Sequence, residues 1–549
     1  MSAPNVLIIM TDEERYPPPY EGPELAAFRR EQLPARQHLI DNGTRLHRHY
    51  AGSTACLPSR ATLFTGQYPS LHGVTSTDGL AKRASDPAMG FLDPDTVPTI
   101  GDWFRAGGYH THYRGKWHIS YADLMTPGTH VGLKSSNAEG VVDQRVVDAY
   151  RRADRLDPFG FSGWIGREPH GADKADCGFV RDGVFSEQVA ELFDDLAGAR
   201  ADGPWLSVAS FVNPHDISFG AFGWQQLFAL APPDDTVPAI DAAPSHADSF
   251  ADRPGCHEQF LHTWPKMTFD MTADMAHRRL YYYLHKVVDR AIMRVLEALD
   301  ASGMADDTIV VFTSDHGDLI GAHGGLVQKW YNAFDEAIRV PLVVNGPGIA
   351  RNPDGIDVPS SHVDLLPTLL GLAGIDAERA AAGVAEHHVE AQPLPGRDLS
   401  GVLTGSSDAE SSRTPIYFMT DDDISRGSSQ VNLFTGEPYE AVSAPSRVES
   451  VIASLPTGPD GAAELWKLNH YFERLDEWQA EQGVPPAATP AAESFWELHN
   501  LTADPEERHN VAGEGTDAFS NMLDLLGSER DSKRRLPSLR NAAAASPGA

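Results

Sequence analysis

The stretch Val6-Leu7-Ile8-Ile9-Met10-Thr11-Asp12-Glu13 is a short apolar run that ends abruptly in acidic residues. Two later stretches repeat this pattern: Trp205 to Val212 stops before Asn213-Pro214-His215, and Thr308 to Phe312 stops before Ser314-Asp315-His316. Continuous apolar runs of this length predict parallel strands that are buried on both faces. Ligands of parallel sheets bind beyond the carboxyl ends of the strands, so the polar residues after the three runs are candidates for one site.

The residues between these runs show helical periodicity. From Ala276 to Ala301, apolar side chains recur at three- and four-residue spacing, at Leu280, Leu284, Val288, Ile292, Val295 and Leu299. Strands that alternate with helices predict an α/β fold with a mostly parallel central sheet flanked by helices.

After about Gly405 the pattern changes to short runs separated by turn-rich segments. Four runs predict strands, and a late helix is expected around Phe519 to Leu526: the runs are Pro415–Met419, Arg447–Leu455, Leu465–Phe472 and Trp496–Leu501. A chain of 549 residues exceeds what one core usually supports. We therefore expect an α/β domain over 1–405, a C-terminal subdomain with a smaller antiparallel sheet plus helix over 406–530, and a flexible tail over 531–549.

The net charge limits the partners that the protein can have. The formal charge is −33 at pH 7, and such a field repels nucleic acid and polysulfated glycans. A small-molecule substrate is therefore predicted. No stretch approaches the roughly 18 apolar residues of a membrane span, so no membrane partner is expected.

The cysteines and the first residues indicate the compartment. Cys56, Cys177 and Cys256 are far apart, with neither a disulfide framework nor zinc-ligand spacing. The first apolar run begins almost at the initiator Met, without a basic segment before it, which predicts a cytoplasmic protein. The oligomeric state stays open, and the long segments 158–177 and 232–264 are candidate contact surfaces for a homo-oligomer.

The segment Cys56-Leu57-Pro58-Ser59-Arg60-Ala61-Thr62-Leu63-Phe64-Thr65-Gly66 carries the chemistry. It resembles the signature of the formylglycine-dependent sulfatases of the alkaline-phosphatase-like superfamily. The resemblance extends from Asn5 to about Ala512. It implies that a formylglycine-generating enzyme oxidises Cys56 to formylglycine (3-oxoalanine). Once hydrated, that aldehyde carries two hydroxyls: one attacks sulfur and displaces the alcohol, and the other collapses to the carbonyl and expels sulfate.

This chemistry needs a divalent cation to stabilise the alkoxide and to polarise the sulfate. Hard carboxylates at strand ends are suitable ligands, and Asp12-Glu13 and Asp315-His316 are such pairs. The resemblance implies that these four residues bind the metal together with the residue made from Cys56. The Asp-His pair is typical of the branch that includes arylsulfatases, choline sulfatases and phosphonate monoester hydrolases. Ca²⁺ is the first expectation, but the imidazole of His316 leaves Mn²⁺ or Zn²⁺ open.

The resemblance also predicts residues that hold the anion. Gly115-Lys116-Trp117-His118 is similar to the family segment in which the Lys binds a sulfate oxygen and the His lies against the formylglycine. His215 would lie near the leaving-group oxygen, Lys329 would be a second sulfate-binding Lys, and Arg60 would pair with the nucleophile region. Charge builds on the sulfuryl oxygens and on the departing alkoxide, so cations and a protonatable His suit the transition state.

These features predict a hydrolase of aryl or small alkyl sulfate esters. Phosphonate monoester or phosphodiester hydrolysis is the alternative, because both substrate classes present a tetrahedral anion to the same site. A non-catalytic anion-binding homologue is a further alternative, but it predicts a missing nucleophile or metal ligand, and none is missing. The acidic run Asp421-Asp422-Asp423 is interpreted as a solvated loop.

Overall fold

The computed structural model describes residues 3–86, 89–169, 173–199, 203–219, 234–409, 413–473 and 494–538. None of the helices in these ranges combines the length and the hydropathy that a membrane-spanning helix needs. All three cysteines are buried as free thiols.

A seven-stranded sheet forms the centre of the molecule. Its strands are β1 (Asn5–Asp12), β2 (Gly43–Tyr50), β3 (His110–Gly115), β4 (Trp205–Pro214), β5 (Thr308–Ser314), β6 (Arg339–Asn345) and β7 (Asn352–Ser361). They lie in the order β3-β4-β1-β5-β6-β2-β7, and only β6 runs antiparallel to its neighbours. The predicted mostly parallel sheet is confirmed.

Helices flank the sheet and connect its strands. The described helices are α1 (Pro23–Gln32), α2 (Pro34–Asn42), α3 (Cys56–Thr65), α4 (Pro69–His72), α5 (Ile100–Ala106), α6 (Gln144–Ala153), α7 (Gly178–Ala199), α8 (Gly255–Met267), α9 (Met275–Ala301), α10 (Ala322–Gly325), α11 (Asp335–Ile338), α12 (His362–Ala373), α13 (Ala377–Ala385), α14 (Ser400–Leu403) and α15 (Asp517–Lys533). Helix α9 covers the periodic segment 276–301 that predicted it.

Both faces of the sheet are buried, as the uninterrupted apolar runs predicted. In β1, Val6, Ile8 and Met10 pack into one core cluster, whereas Leu7 and Ile9 pack into another. Successive side chains of a strand point to opposite faces, so each run contributes to two cores. The three runs of the sequence analysis become neighbours, in the order β4-β1-β5, and their polar ends therefore meet at one edge.

The C-terminal region forms a separate antiparallel sheet in the order β11-β10-β9-β8. Its strands are β8 (Ile416–Thr420), β9 (Arg447–Leu455), β10 (Glu464–Phe472) and β11 (Phe495–Asn500). Helix α15 packs on this sheet through Ala518, Met522 and Leu526. The helix continues to Lys533, into the segment 531–549 for which a tail was predicted, and residues 539–549 lie outside the described ranges.

Candidate active site

Cys56 is the first residue of α3 and follows directly on the loop after β2. Its side chain is buried, with Sγ 3.5 Å from Oδ1 of Asp12 and 3.2 Å from Nε2 of His316. Burial, together with the charge of Asp12, raises the pKa of the thiol to about 12. The N-terminal end of a helix favours negative charge, so this position suits a nucleophile that works on an anion.

A cluster of potential metal ligands surrounds this side chain. One ligand atom from each of Asp12, Cys56, Asp315 and His316 lies within 4.8 Å of the others, and all four residues are buried. Burial and the neighbouring Asp12 raise the pKa of Asp315. Two buried carboxylates in this proximity repel one another, and a divalent cation would relieve that repulsion. The donor set of two carboxylates, an imidazole and the residue derived from Cys56 fits such a cation.

Glu13 lies in a second group, with Asp12 and His215. Its backbone has a φ of 74°, and its side chain faces Lys329, whose Nζ is 3.0 Å from Oε1. The hydroxyl of Ser218 donates to its other oxygen at 3.1 Å. Burial raises the pKa of Glu13 well above its usual range, although Lys329 opposes the shift. Glu13 therefore connects the predicted metal ligands to the predicted anion-binding lysine.

Arg60 and Lys116 are fully buried beside the carboxylates. Arg60 donates from Nε to Asp315 at 2.8 Å and from one terminal nitrogen to Asp12 at 3.0 Å. Nζ of Lys116 lies 2.7 Å from Oδ2 of Asp12. Burial alone would raise the pKa of Asp12, but Lys116 and the other cations around it lower the value well below the usual range. Arg60 thus bridges the two strand ends and orders both carboxylates.

The two predicted histidines have carboxylate neighbours. Nε2 of His118 lies 2.9 Å from Oδ1 of Asp78. His215 follows β4 and belongs to the group in which its ring nitrogen lies within 4.8 Å of carboxylate oxygens of Asp12 and Glu13. A carboxylate beside an imidazole orients the ring and stabilises its protonated form, so both histidines are suited to proton transfer.

These groups open into a cavity of about 80 Å³. Cys56, His118, His215 and Lys329 contribute to its lining. The rest is largely apolar, and the apolar lining residues are Leu80, Phe219, Trp264, Phe269, Trp330, Ile424, Leu433 and Phe434. Several come from the C-terminal region, so both parts of the chain build the wall of the cavity.

Sequence reasoning missed Asp78, Ser218, Gln328 and Asp422, which contact or line the site. The acidic run 421–423 was a visible signal, but its interpretation as a solvated loop is wrong. Asp422 is 3% exposed. It is buried because its carboxylate accepts hydrogen bonds from Trp330 and from the backbone of Thr77, which offset the loss of hydration.

His362 lies beneath the helix that carries Cys56. Its ring nitrogens are 3.3 Å from the hydroxyl of Ser59 and 3.1 Å from the carbonyl of Ser314. Burial lowers its pKa to about 3, so it is neutral and supports the chain on either side of the site.

Comparison with known proteins gives a consistent assignment. The sequence matches the family described as Sulfatase over residues 4–375, a range that includes every predicted site residue. The choline-sulfatase of Rhizobium meliloti strain 1021 is 28% identical over 405 residues, covering 68% of each chain. The uncharacterized sulfatase YidJ of Escherichia coli K12 is 28% identical over 392 residues, covering 70% of each. The solved phosphonate monoester hydrolase of Agrobacterium radiobacter has the same fold, with a TM-score of 0.57, 21% identity and coverage of 96% and 95%.

Proposed function

We propose that this chain, which belongs to the sulfatase family, hydrolyses aryl or small alkyl sulfate esters through a formylglycine made from Cys56. One observation carries the proposal. The residue to be modified lies within one buried cluster of Asp12, Asp315 and His316, and its cavity is also lined by His118, His215 and Lys329. A divalent cation bound by that cluster would polarise the sulfate and stabilise an oxyanion.

The first step transfers the sulfuryl group. An oxygen of the hydrated formylglycine passes its proton to the carboxylate of Asp315, which lies in the same cluster and whose pKa burial raises, and bonds to sulfur, while the bond between sulfur and the alcohol oxygen breaks. His215 supplies a proton to that alcohol oxygen, and the nearby carboxylate of Asp12 favours the protonated ring that this role requires. Lys329, which lines the cavity, would bind a sulfuryl oxygen as charge develops on it, and Lys116, paired with Asp12 behind the nucleophile, would bind a second one as the resemblance implies.

The second step releases sulfate. The remaining hydroxyl transfers its proton to His118, its oxygen becomes the carbonyl oxygen, and the bond between carbon and the sulfate oxygen breaks. Asp78, 2.9 Å from His118, stabilises the imidazolium that results. Water then hydrates the aldehyde and restores the nucleophile.

The wall of the cavity supports the choice of alcohol. Eight of the eighteen residues that line the described cavity carry aromatic or aliphatic side chains, and among those eighteen Lys329 is the single Lys or Arg. A polysulfated glycan needs further cations around its remaining sulfates, whereas a compact apolar or aromatic alcohol gains by leaving water. Trp264 and Trp330, which stack on each other, both line the cavity, and indole rings attract a quaternary ammonium, so choline sulfate is the small alkyl ester to test first.

The proposal is tested with a panel of four substrates: an aryl sulfate, choline sulfate, a phosphonate monoester and a phosphate diester. We expect kcat/KM to be highest for one of the two sulfate esters, and we expect chelation to abolish turnover until a divalent cation is restored. Higher kcat/KM for the phosphonate monoester or the phosphodiester would replace the proposed activity with the alternative one. Full turnover after metal removal would reject the assigned metal cluster.

A further inference from the structure

We propose that Asp422, which follows the end of β8, is a positioning residue that holds two loops of the active site in place relative to each other. The first loop contains Thr77 and Asp78, and the second contains Lys329 and Trp330. The inference rests on the proposed function, because it assigns Asp422 an effect on the steps that His118 and Lys329 perform.

The contacts of Asp422 reach both loops through a single oxygen. Oδ2 accepts a hydrogen bond of 3.0 Å from the backbone N–H of Thr77 and one of 3.1 Å from the indole N–H of Trp330. The next residue after Thr77 is Asp78, whose carboxylate lies 2.9 Å from His118. The residue before Trp330 is Lys329, whose Nζ lies 4.8 Å from the Trp330 ring centroid. One hydrogen bond therefore ends next to Asp78, which orients His118, and the other ends next to Lys329.

The residues next to Asp422 also form hydrogen bonds with the chain around the active site. The hydroxyl of Thr420 donates to the carbonyl of Thr54 at 3.0 Å, and Thr54 lies two residues before Cys56. The backbone N–H of Met419 donates to the carbonyl of Gly52 at 3.2 Å. The carboxylate of Asp423 accepts from the hydroxyl of Tyr331 at 2.6 Å. Residues 419–423 thus bind the segment before the nucleophile and both site loops.

The charge of Asp422 strengthens this arrangement. Burial raises its pKa to about 6, so the carboxylate is mostly ionised at neutral pH. Hydrogen bonds to an ionised acceptor are stronger than hydrogen bonds between neutral groups. A buried donor that loses its acceptor is destabilised by the full free energy of its lost hydration. Removal of the carboxylate would leave the Thr77 N–H and the Trp330 indole unsatisfied, and both loops would relax toward other partners.

The experiment compares Asp422→Ala, Asp422→Asn and a control variant in the C-terminal sheet. The control is Glu449→Gln, since Glu449 is a buried carboxylate whose partners Tyr417 and Arg530 lie in the C-terminal unit. For each protein, kcat is expressed per formylglycine measured by peptide mass, and the sulfated enzyme present at steady state is measured by intact mass.

We expect Asp422→Ala to lower kcat per converted site on the order of 100-fold, because misplaced catalytic groups lose rate steeply, and to accumulate sulfated enzyme since His118 is affected. Asp422→Asn keeps an oxygen acceptor and should restore most of the rate. Glu449→Gln should lower thermal stability without changing kcat per site. A residue with only a structural role would lower the amount of folded protein and leave kcat per site unchanged.

Wild-type kcat per site in folded Asp422→Ala would overturn the inference. If that variant does not fold, Trp330→Phe removes the indole donor together with part of the cavity wall, and Trp264→Phe, which also shortens the wall but breaks no hydrogen bond to Asp422, is its control. Trp330→Phe should lower kcat per site and raise the sulfated fraction relative to Trp264→Phe; equal values in the two variants would overturn the inference. A fully converted wild-type enzyme that is inactive on every sulfate ester would instead reject the proposed function, and the inference with it.

Discussion

Cys56 is a poor nucleophile as long as it remains a cysteine. Its side chain is 2% exposed, and burial raises the pKa of the thiol to about 12, so little thiolate exists at neutral pH. A modifying enzyme could not reach a side chain enclosed at the start of α3. The conversion to formylglycine that we propose therefore has to take place before folding buries the residue.

The histidines should differ in their dependence on the leaving group. Replacement of His215 by Ala is expected to slow esters of weakly acidic alcohols far more than esters of nitrophenols, because a general acid matters only when the departing oxygen needs a proton. Replacement of His118 by Ala should slow all substrates toward one common rate, since the second step no longer contains the alcohol. The measurement is kcat across a leaving-group series, with intact mass to detect sulfated enzyme.

The two outcomes are separable by their mass signatures. Sulfated enzyme should accumulate in His118→Ala and not in His215→Ala. Equal leaving-group sensitivity in the two variants, with no trapped adduct in His118→Ala, would refute this division of roles while leaving the proposed sulfatase activity intact.

The residues that could be predicted are those whose roles are visible within a short segment. Cys56 and Arg60 belong to one motif, and Asp315 ends an apolar run, so each carries a local signal. Asp78 carries none, and the acidic run around Asp422 does not indicate its role, because both roles arise from contacts with His118 and Trp330, more than thirty residues away along the chain in each case. Contacts of this kind follow from the packing of loops and have no sequence periodicity.

Three of the seven strands of the central sheet were predictable for a physical reason. A strand that is buried on both faces has to be apolar throughout, and this requirement marks β1, β4 and β5 in the sequence. The site follows because their carboxyl ends meet. The apolar wall was not predictable, since Trp264 extends from α8 and Phe434 from a loop after β8, and neither position has a pattern that relates it to Cys56.

The ion pair between His323 of α10 and Glu336 of α11 should make the stability of the protein depend on pH in the acid range. Nε2 of His323 lies 3.0 Å from Glu336, and the His323 ring stacks on Phe334 with a centroid separation of 3.6 Å. Burial alone would raise the pKa of Glu336, but His323 lowers it from 4.5 to about 2. Because the folded pKa is depressed, the stabilisation is present above pH 4.5 and is lost as pH falls toward 2.

The lowered pKa of Glu336 corresponds to a contribution of about 3 kcal/mol to the free energy of unfolding at neutral pH. Glu336→Gln should therefore lower the thermal midpoint at pH 7, and the difference from the wild type should narrow as pH falls from 4.5 toward 3. Thermal unfolding at a series of pH values measures both. A constant difference between the two proteins over this range would contradict the assigned ion pair.

For the whole molecule, the net charge of −33 has to be reconciled with an anionic substrate. Three buried cations lie close to the proposed sulfate site, at the carboxyl edge of the central sheet. They are Arg60, Lys116 and Lys329, each with an exposure of 1% or less. Buried charges are screened less than surface charges, so these cations, together with a divalent cation bound by the carboxylates with which they pair, would outweigh the acidic exterior at short range. The exterior still disfavours large polyanions.

The most direct test of the account relates activity to the state of residue 56. The chain is produced with different amounts of a formylglycine-generating enzyme, the converted fraction is measured from the Cys56 peptide, which loses about 18 Da on conversion, and the hydrolysis rate is measured on the best sulfate ester of the panel. We predict a rate proportional to the converted fraction, with a line through the origin, and no turnover in Cys56→Ala. A substantial rate in the unconverted protein, or a rate independent of conversion, would contradict the central claim.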